Sequence, residues 1–213
     1  MEIDPATEAR ADTQQVLLDS LLYSVSHDLR SPLLTMTLSA ELIEAGLSPQ
    51  GSRSEGTALA VSSLRQGASD MERMLQTLML LSRARRKRLE SAQGALQLIL
   101  GGHVVLSEEP ELPRRVVLVD PLHVREMLDA VGGDEPVEVQ VHLGAGRAAL
   151  DVAVPVLEHG PTPLHAVTAS LKQYAGTPVE ALAVGQILVE RQGGEVTCEV
   201  GRVKVSLPLA GDA

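Results

Sequence analysis

The chain has 213 residues, a formal net charge of −10 and 44% apolar residues, and its only aromatic side chains are two Tyr. That apolar content suits an aliphatic core and excludes a disordered tail, while the acidic balance and the scarcity of aromatic platforms exclude general nucleic-acid binding. A single cysteine, Cys198, excludes an internal disulfide framework and cysteine-based zinc sites.

No apolar run is long enough to span a membrane, and no signal pattern opens the chain. A cytoplasmic protein without direct membrane insertion is expected. Asp4 followed by Pro5 reads as a helix start. Apolar residues then recur at threes and fours through Leu18, Leu21, Leu22, Val25, Leu29, Leu33, Met36, Ala40 and Ile43, one face of a helix. Gly46 to Gly56 is a turn by composition. A second seam follows at Val61, Leu64, Ala68, Met71, Leu75 and Leu78. Two long helices joined by a short loop make an antiparallel hairpin, and a homodimer would complete a four-helix bundle. The run Arg83, Arg85, Arg86, Lys87 and Arg88 closes the second helix, where cations suit the helix dipole.

The character changes near residue 92, so the expected domains are 1–92 and 93–213. Short β-type runs appear at Val104 to Leu106, Val116 to Val119, Val137 to Leu143, Ala148 to Val154, Glu195 to Val200 and Val203 to Leu207. Helical patterns lie at Pro121 to Val131 and Val179 to Gln192, and Ala95 to Leu100 reads as either a short helix or a strand. Strands paired with helices, with a hairpin closing around Gly201, give an α+β sandwich of one sheet and one helical layer.

One string carries chemistry: Ser26-His27-Asp28-Leu29-Arg30-Ser31-Pro32-Leu33. His27 lies two residues from both Val25 and Leu29, about 200° around a helix, so it points away from the buried stripe. Asp28 is adjacent, and Ser31 lies one turn on. The string resembles the H-box of sensor histidine kinases. The resemblance implies that His27 is the phosphoacceptor, exchanging a phosphoryl group with an aspartate of a response-regulator receiver. It implies that Asp28 orients the imidazole and assists proton removal, with Arg30 and Pro32 in support. Ser31 falls where many relatives carry a Thr or Asn that positions a water for dephosphorylation.

The second half is similar to the ATP-binding domain of the same family. Val119-Asp120-Pro121 resembles its Gly-Asp-Pro, and Gln192-Gly193-Gly194-Glu195 its His-Gly-Gly turn. The nucleotide motifs are degenerate. No Asn follows Asp120, and the whole chain lacks Asn. Glu158 and Gly160 are remnants of the adenine-binding Asp-x-Gly-x-Gly, and Gly176 is the remnant of the phosphate loop. Pro178 removes a donor there, and Glu180 puts negative charge where a triphosphate would sit. The spacer from Thr162 to Ala175 is short for an ATP lid.

The six histidines show no i, i+4 pair, so no metal is expected. No G-x-S-x-G elbow supports a hydrolase. The expectation is a homodimeric two-component protein. It relays phosphoryl groups between His27 and receiver aspartates and binds no nucleotide of its own. An autokinase partnered by a separate sensor would instead need Mg-ATP. A non-enzymatic pseudokinase scaffold would sequester a receiver or kinase.

Overall fold

The computed structural model describes residues 25, 27–45, 55–89, 93–107, 112–133, 135–154, 161–199 and 201–210. Asp4-Pro5, Leu18, Leu21, Leu22, Ser26, the turn at 46–54, Glu158 and Gly160 lie outside them. The described residues fall into two compact units. One runs up to Leu78 and includes Thr168–Gly176; the other comprises Met79–Val167 and Thr177 onward.

The first unit is built on helix α1, residues 27–45, and on helix α2, Glu55–Arg86. Pro32 is buried on α1, and α2 comes so close that a Cβ on Gly67 would stand 3.2 Å from the Pro32 carbonyl oxygen and 2.9 Å from Met36 Cγ. The seam of α2 in this unit is Thr57, Ala60, Gly67, Met74 and Thr77, all buried, whereas Ala68 and Leu75 of the expected seam are exposed. Leu33 of the expected α1 stripe is also exposed. Val61, Leu64, Met71 and Leu78 of the expected seam are half-buried, and the apolar pattern misses Gly67 and the two threonines, which a hydrophobicity count passes over. The Thr77 hydroxyl donates to the Arg73 carbonyl oxygen of its own helix, so it enters the seam already hydrogen-bonded.

The second unit is a mixed sheet with helices. Its elements are β1 (Gly94–Ala95), α3 (Leu96–Leu100), β2 (Val104–Leu106), β3 (Val116–Val117), α4 (Pro121–Gly132), β4 (Glu138–Gly144) and β5 (Arg147–Ala153). After α5 (Pro163–Ala169) comes α6 (Leu171–Tyr174), which belongs to the first unit, and then α7 (Pro178–Glu190), β6 (Glu195–Glu199) and β7 (Arg202–Pro208). The main sheet runs β2-β4-β5-β7-β6, and β1 pairs with β3. Only the β2–β4 pairing in that sheet is parallel. Register places Val139 opposite Val152, Val141 opposite Leu150, and Leu150 opposite Val205. All are buried, so the two-residue period delivers one aliphatic face. β6 and β7 form a hairpin through Gly201 at φ +74°, a conformation glycine adopts without strain.

The ambiguous run Ala95 to Leu100 resolves mainly as α3, with Leu96, Ile99 and Leu100 buried. The stretch read as a spacer, Thr162 to Ala175, contains α5 and α6. Its buried residues Leu164, Val167, Leu171 and Tyr174 are spaced three, four and three apart, a helical signal that a reading of this stretch as a shortened lid obscures.

α4 begins as its sequence requires. Asp120 caps it by accepting from the Leu122 amide at 3.0 Å, with Pro121 in the first turn. α4 and α7 pack closely: a Cβ on Gly185 of α7 would fall 1.9 Å from Met127 Cγ of α4.

Candidate functional site

His27 stands on α1 with its side chain 70% exposed, beside an Asp28 side chain only 12% exposed. The ring Nδ1 lies 3.2 Å from Asp28 Oδ1. The other carboxylate oxygen, Oδ2, accepts from the main-chain N–H of Lys172 at 2.9 Å. Asp28 is thus engaged on both oxygens, by the ring in front and by a main-chain amide behind. Hydrogen bonds to a charged acceptor contribute about 1.5–3 kcal/mol each, so the carboxylate is firmly oriented.

The chemistry follows from which nitrogen carries the proton. A ring that donates Nδ1–H to Asp28 has its lone pair on Nε2. Exposure gives a reaction partner access, and the carboxylate stabilises positive charge on the ring.

The remaining candidates are distributed around this pair. Arg30 and Ser31 are exposed, and the Ser31 carbonyl oxygen accepts from the Thr35 hydroxyl at 3.1 Å. Pro32 is buried, and its carbonyl oxygen lies 3.2 Å from a Cβ built on Gly67. Gly176 adopts φ +71° and lies beside Arg73, 3.6 Å from its Cδ to an added Cβ. Asp70, Arg73 and Gln66 form a hydrogen-bonded group on α2. Burial pushes the Asp70 carboxyl up, but those two hydrogen bonds and the Arg73 and Lys172 charges outweigh it and hold the group below its ordinary value.

Sequence reasoning missed Gly67, Lys172 and the segment that carries Lys172. Gly67 had a signal, since a glycine inside a helix costs about 1 kcal/mol against Ala and so asks for a packing reason. Lys172 had none, because its contribution is a main-chain amide and any residue but proline supplies one.

The second unit contains a different histidine environment. His123 on α4 is 3% exposed. Lys87 Nζ lies 2.8 Å from its Nε2, and Gln192 Nε2 lies 3.2 Å from its Nδ1. The Gln192 amide is fixed by the backbone, accepting from Asp120 N and donating to the Leu188 carbonyl oxygen. Burial and then the Lys87 charge push His123 below its ordinary pKa, against smaller opposing effects of Asp120 and Glu126. Lys87, from the cationic run after α2, therefore serves the packing of α4. The Cys198 thiol is pushed up to about 12 by burial, which makes it unreactive.

Residues 17–87 match the His Kinase A (phospho-acceptor) domain. The helical region is therefore similar to a histidine-kinase phospho-acceptor domain of the two-component kind, and the match covers one third of the chain. No curated protein matches the chain. Among solved structures, the chain is similar to the Acinetobacter baumannii histidine kinase AdeS, at 12% identity and a TM-score of 0.42, covering 88% of this chain and 98% of that one. It is similar to a bacterial phosphotransferase at 13% identity and a TM-score of 0.33, covering 91% and 96%. It is also similar to the histidine kinase ThkA in complex with the response regulator protein TrrA, at 12% identity and a TM-score of 0.43, covering 98% and 66%. Among the described residues, no helix is long and apolar enough to cross a membrane.

Proposed function

We propose that this protein is a histidine phosphotransfer protein, exchanging phosphoryl groups between His27 and the aspartate of a response-regulator receiver. The observation that carries this reading is the pairing of an exposed His27 with a largely buried, doubly hydrogen-bonded Asp28. The receiver docks beside α1 and presents its phosphoaspartate in line with His27 Nε2. Asp28 holds the ring and balances the charge it gains. The Mg²⁺ that steadies the transferring group belongs to the receiver's own acidic site. Ser31, exposed one turn beyond His27, can position a water for a different outcome, hydrolysis of the receiver's phosphoaspartate to release phosphate.

The working unit is a homodimer. Leu34, Leu38 and Leu42 repeat every fourth residue on α1 and are all half or more exposed, as is Leu59 on α2. Burying each leucine contributes about 1.5–3 kcal/mol, and a second copy of the hairpin offers the matching surface. Leu38→Glu combined with Leu42→Glu is expected to convert the dimer to a monomer in light scattering. An unchanged mass would remove this interface.

The source of the phosphoryl group is the receiver and not a bound nucleotide. On α4 the inward face is His123, Val124, Met127 and Leu128, and none of these is a ligand for a phosphate-bridging Mg²⁺. Met127 occupies the space against Gly185. The first turn of α7 offers Pro178, which has no N–H, and the acidic Glu180. These residues do not fit a triphosphate, which needs glycine-rich amide cradles and cations.

The test is transfer from a receiver domain charged at its aspartate with labelled acetyl phosphate. Acid-labile label on the full-length protein, absent from His27→Ala, is the expected result. Label retained in His27→Ala would place the acceptor elsewhere. No label on the wild type with any receiver would favour a scaffold that sequesters its partner.

A further inference from the structure

Lys172 sits in the first turn of α6, where no carbonyl of that helix can reach its amide. Ser170, at the cap position, makes no side-chain hydrogen bond to the helix. The amide is taken up by Asp28, which is 144 positions away in the chain. Leu171, Tyr174 and Ala175 around it are buried, which anchors the segment. The bond is therefore made by a well-held element to the carboxylate that lies against His27.

We propose that Lys172 is a positioning residue for His27, acting through its main-chain N–H and the Asp28 carboxylate. The inference rests on the phosphotransfer reading given above. A carboxylate on a surface helix rotates freely, and a histidine beside it samples either tautomer. Pinning Oδ2 turns Oδ1 toward His27 Nδ1 and selects the Nδ1–H form. Nε2 then carries the lone pair. In transfer, that pair forms the N–P bond, and the bond from phosphorus to the aspartyl oxygen breaks, with its electrons returning to the receiver carboxylate. The ring gains a positive charge shared between Nδ1–H and Nε2, and the Asp28 carboxylate balances it. No proton has to leave for the N–P bond to form. In the reverse direction the same contact restores the neutral ring. The short segment between α5 and α7 thus works as part of the phosphoacceptor site.

Two substitutions separate the amide from the side chain. Lys172→Pro removes the N–H, and proline is tolerated in a first helical turn. Lys172→Ala keeps it. Transfer from the acetyl-phosphate-charged receiver is expected to slow about tenfold or more in Lys172→Pro and to stay within about twofold in Lys172→Ala. The ¹⁵N ring shifts of His27, assigned against His27→Gln, should report the Nδ1–H tautomer in the wild type and in Lys172→Ala. They should move toward Nε2–H in Lys172→Pro. Wild-type transfer rates and an unchanged tautomer in Lys172→Pro would overturn the proposal while leaving phosphotransfer intact. Should Lys172→Pro not fold, amide exchange decides. The Lys172 amide should exchange slowly in the wild type and at least about tenfold faster in Asp28→Ala, and equal rates would overturn the proposal. Both NMR readouts need no phosphoryl donor, so a wild type that accepts no label would refute the relay without bearing on the Asp28 contact.

Discussion

On α1 a histidine stands exposed with a carboxylate at its Nδ1; on α4 another lies buried between an ammonium and an amide. His27 faces solvent and has a carboxylate oxygen 3.2 Å from its Nδ1. His123 resists positive charge, because burial and the Lys87 ammonium oppose it more than Asp120, 3.8 Å from its Nε2, favours it. The comparison separates the histidine proposed as the phosphoacceptor from one packed among helices. The criterion is the sign of the neighbours and access to solvent, since both residues lie within three positions of an aspartate.

The sharpest way to break this contrast is to exchange the two losses. His27→Ala should abolish acid-labile label from a charged receiver and leave the unfolding midpoint nearly unchanged. His123→Gln should do the opposite, keeping transfer within about twofold while lowering stability by about 1–3 kcal/mol for the disrupted buried hydrogen bonds. A loss of transfer in a folded His123→Gln would mean that α4 takes part in the reaction.

Next in size is Asp28→Ala. Removing the carboxylate should lower the transfer rate by about a hundredfold, within the range for a positioned acid–base partner, as read in rapid-quench kinetics. An unchanged rate would reduce His27 to an exposed ring that needs no partner.

How much of this contrast the sequence carried is instructive. The H-box string named His27 and Asp28, and helical periodicity turned His27 outward. The strands of the sheet were legible because aliphatic alternation is strong, as in Val139, Val141, Leu150 and Val152. The seam of the hairpin was less so, because Gly67, Thr57 and Thr77 occupy it and the apolar residues spread over two faces. The role of Lys172 was not legible at all. A main-chain amide leaves no trace in residue identity, and its partner is 144 positions away.

A smaller effect is expected where α4 meets α7. Gly185→Val should destabilise the protein by about 1–3 kcal/mol through overpacking against Met127, measured by denaturant unfolding. Met127→Ala in the same chain should recover part of that loss. Independent, additive effects would show that the two helices do not close on each other at this point.

The smallest effect is on pH dependence. His123 is held below its ordinary value of 6.5 by burial and by Lys87. As pH falls below 6.5, the unfolded chain takes up a proton there that the folded chain resists. The unfolded state then binds more protons, so stability falls with falling pH. The full contribution is present above pH 6.5 and is lost progressively down to the lowered folded value. His123→Gln should remove this part of the slope, and an identical slope in the variant would assign it to other groups.

The most direct measurement sets two phosphoryl donors against each other on the same protein. One sample receives Mg²⁺ and γ-labelled ATP; the other receives a receiver charged with labelled acetyl phosphate. Acid-labile label that depends on His27 should appear only in the second. His27-dependent label from Mg-ATP would contradict this account, because α4 and the first turn of α7 would then have to support nucleotide chemistry after all.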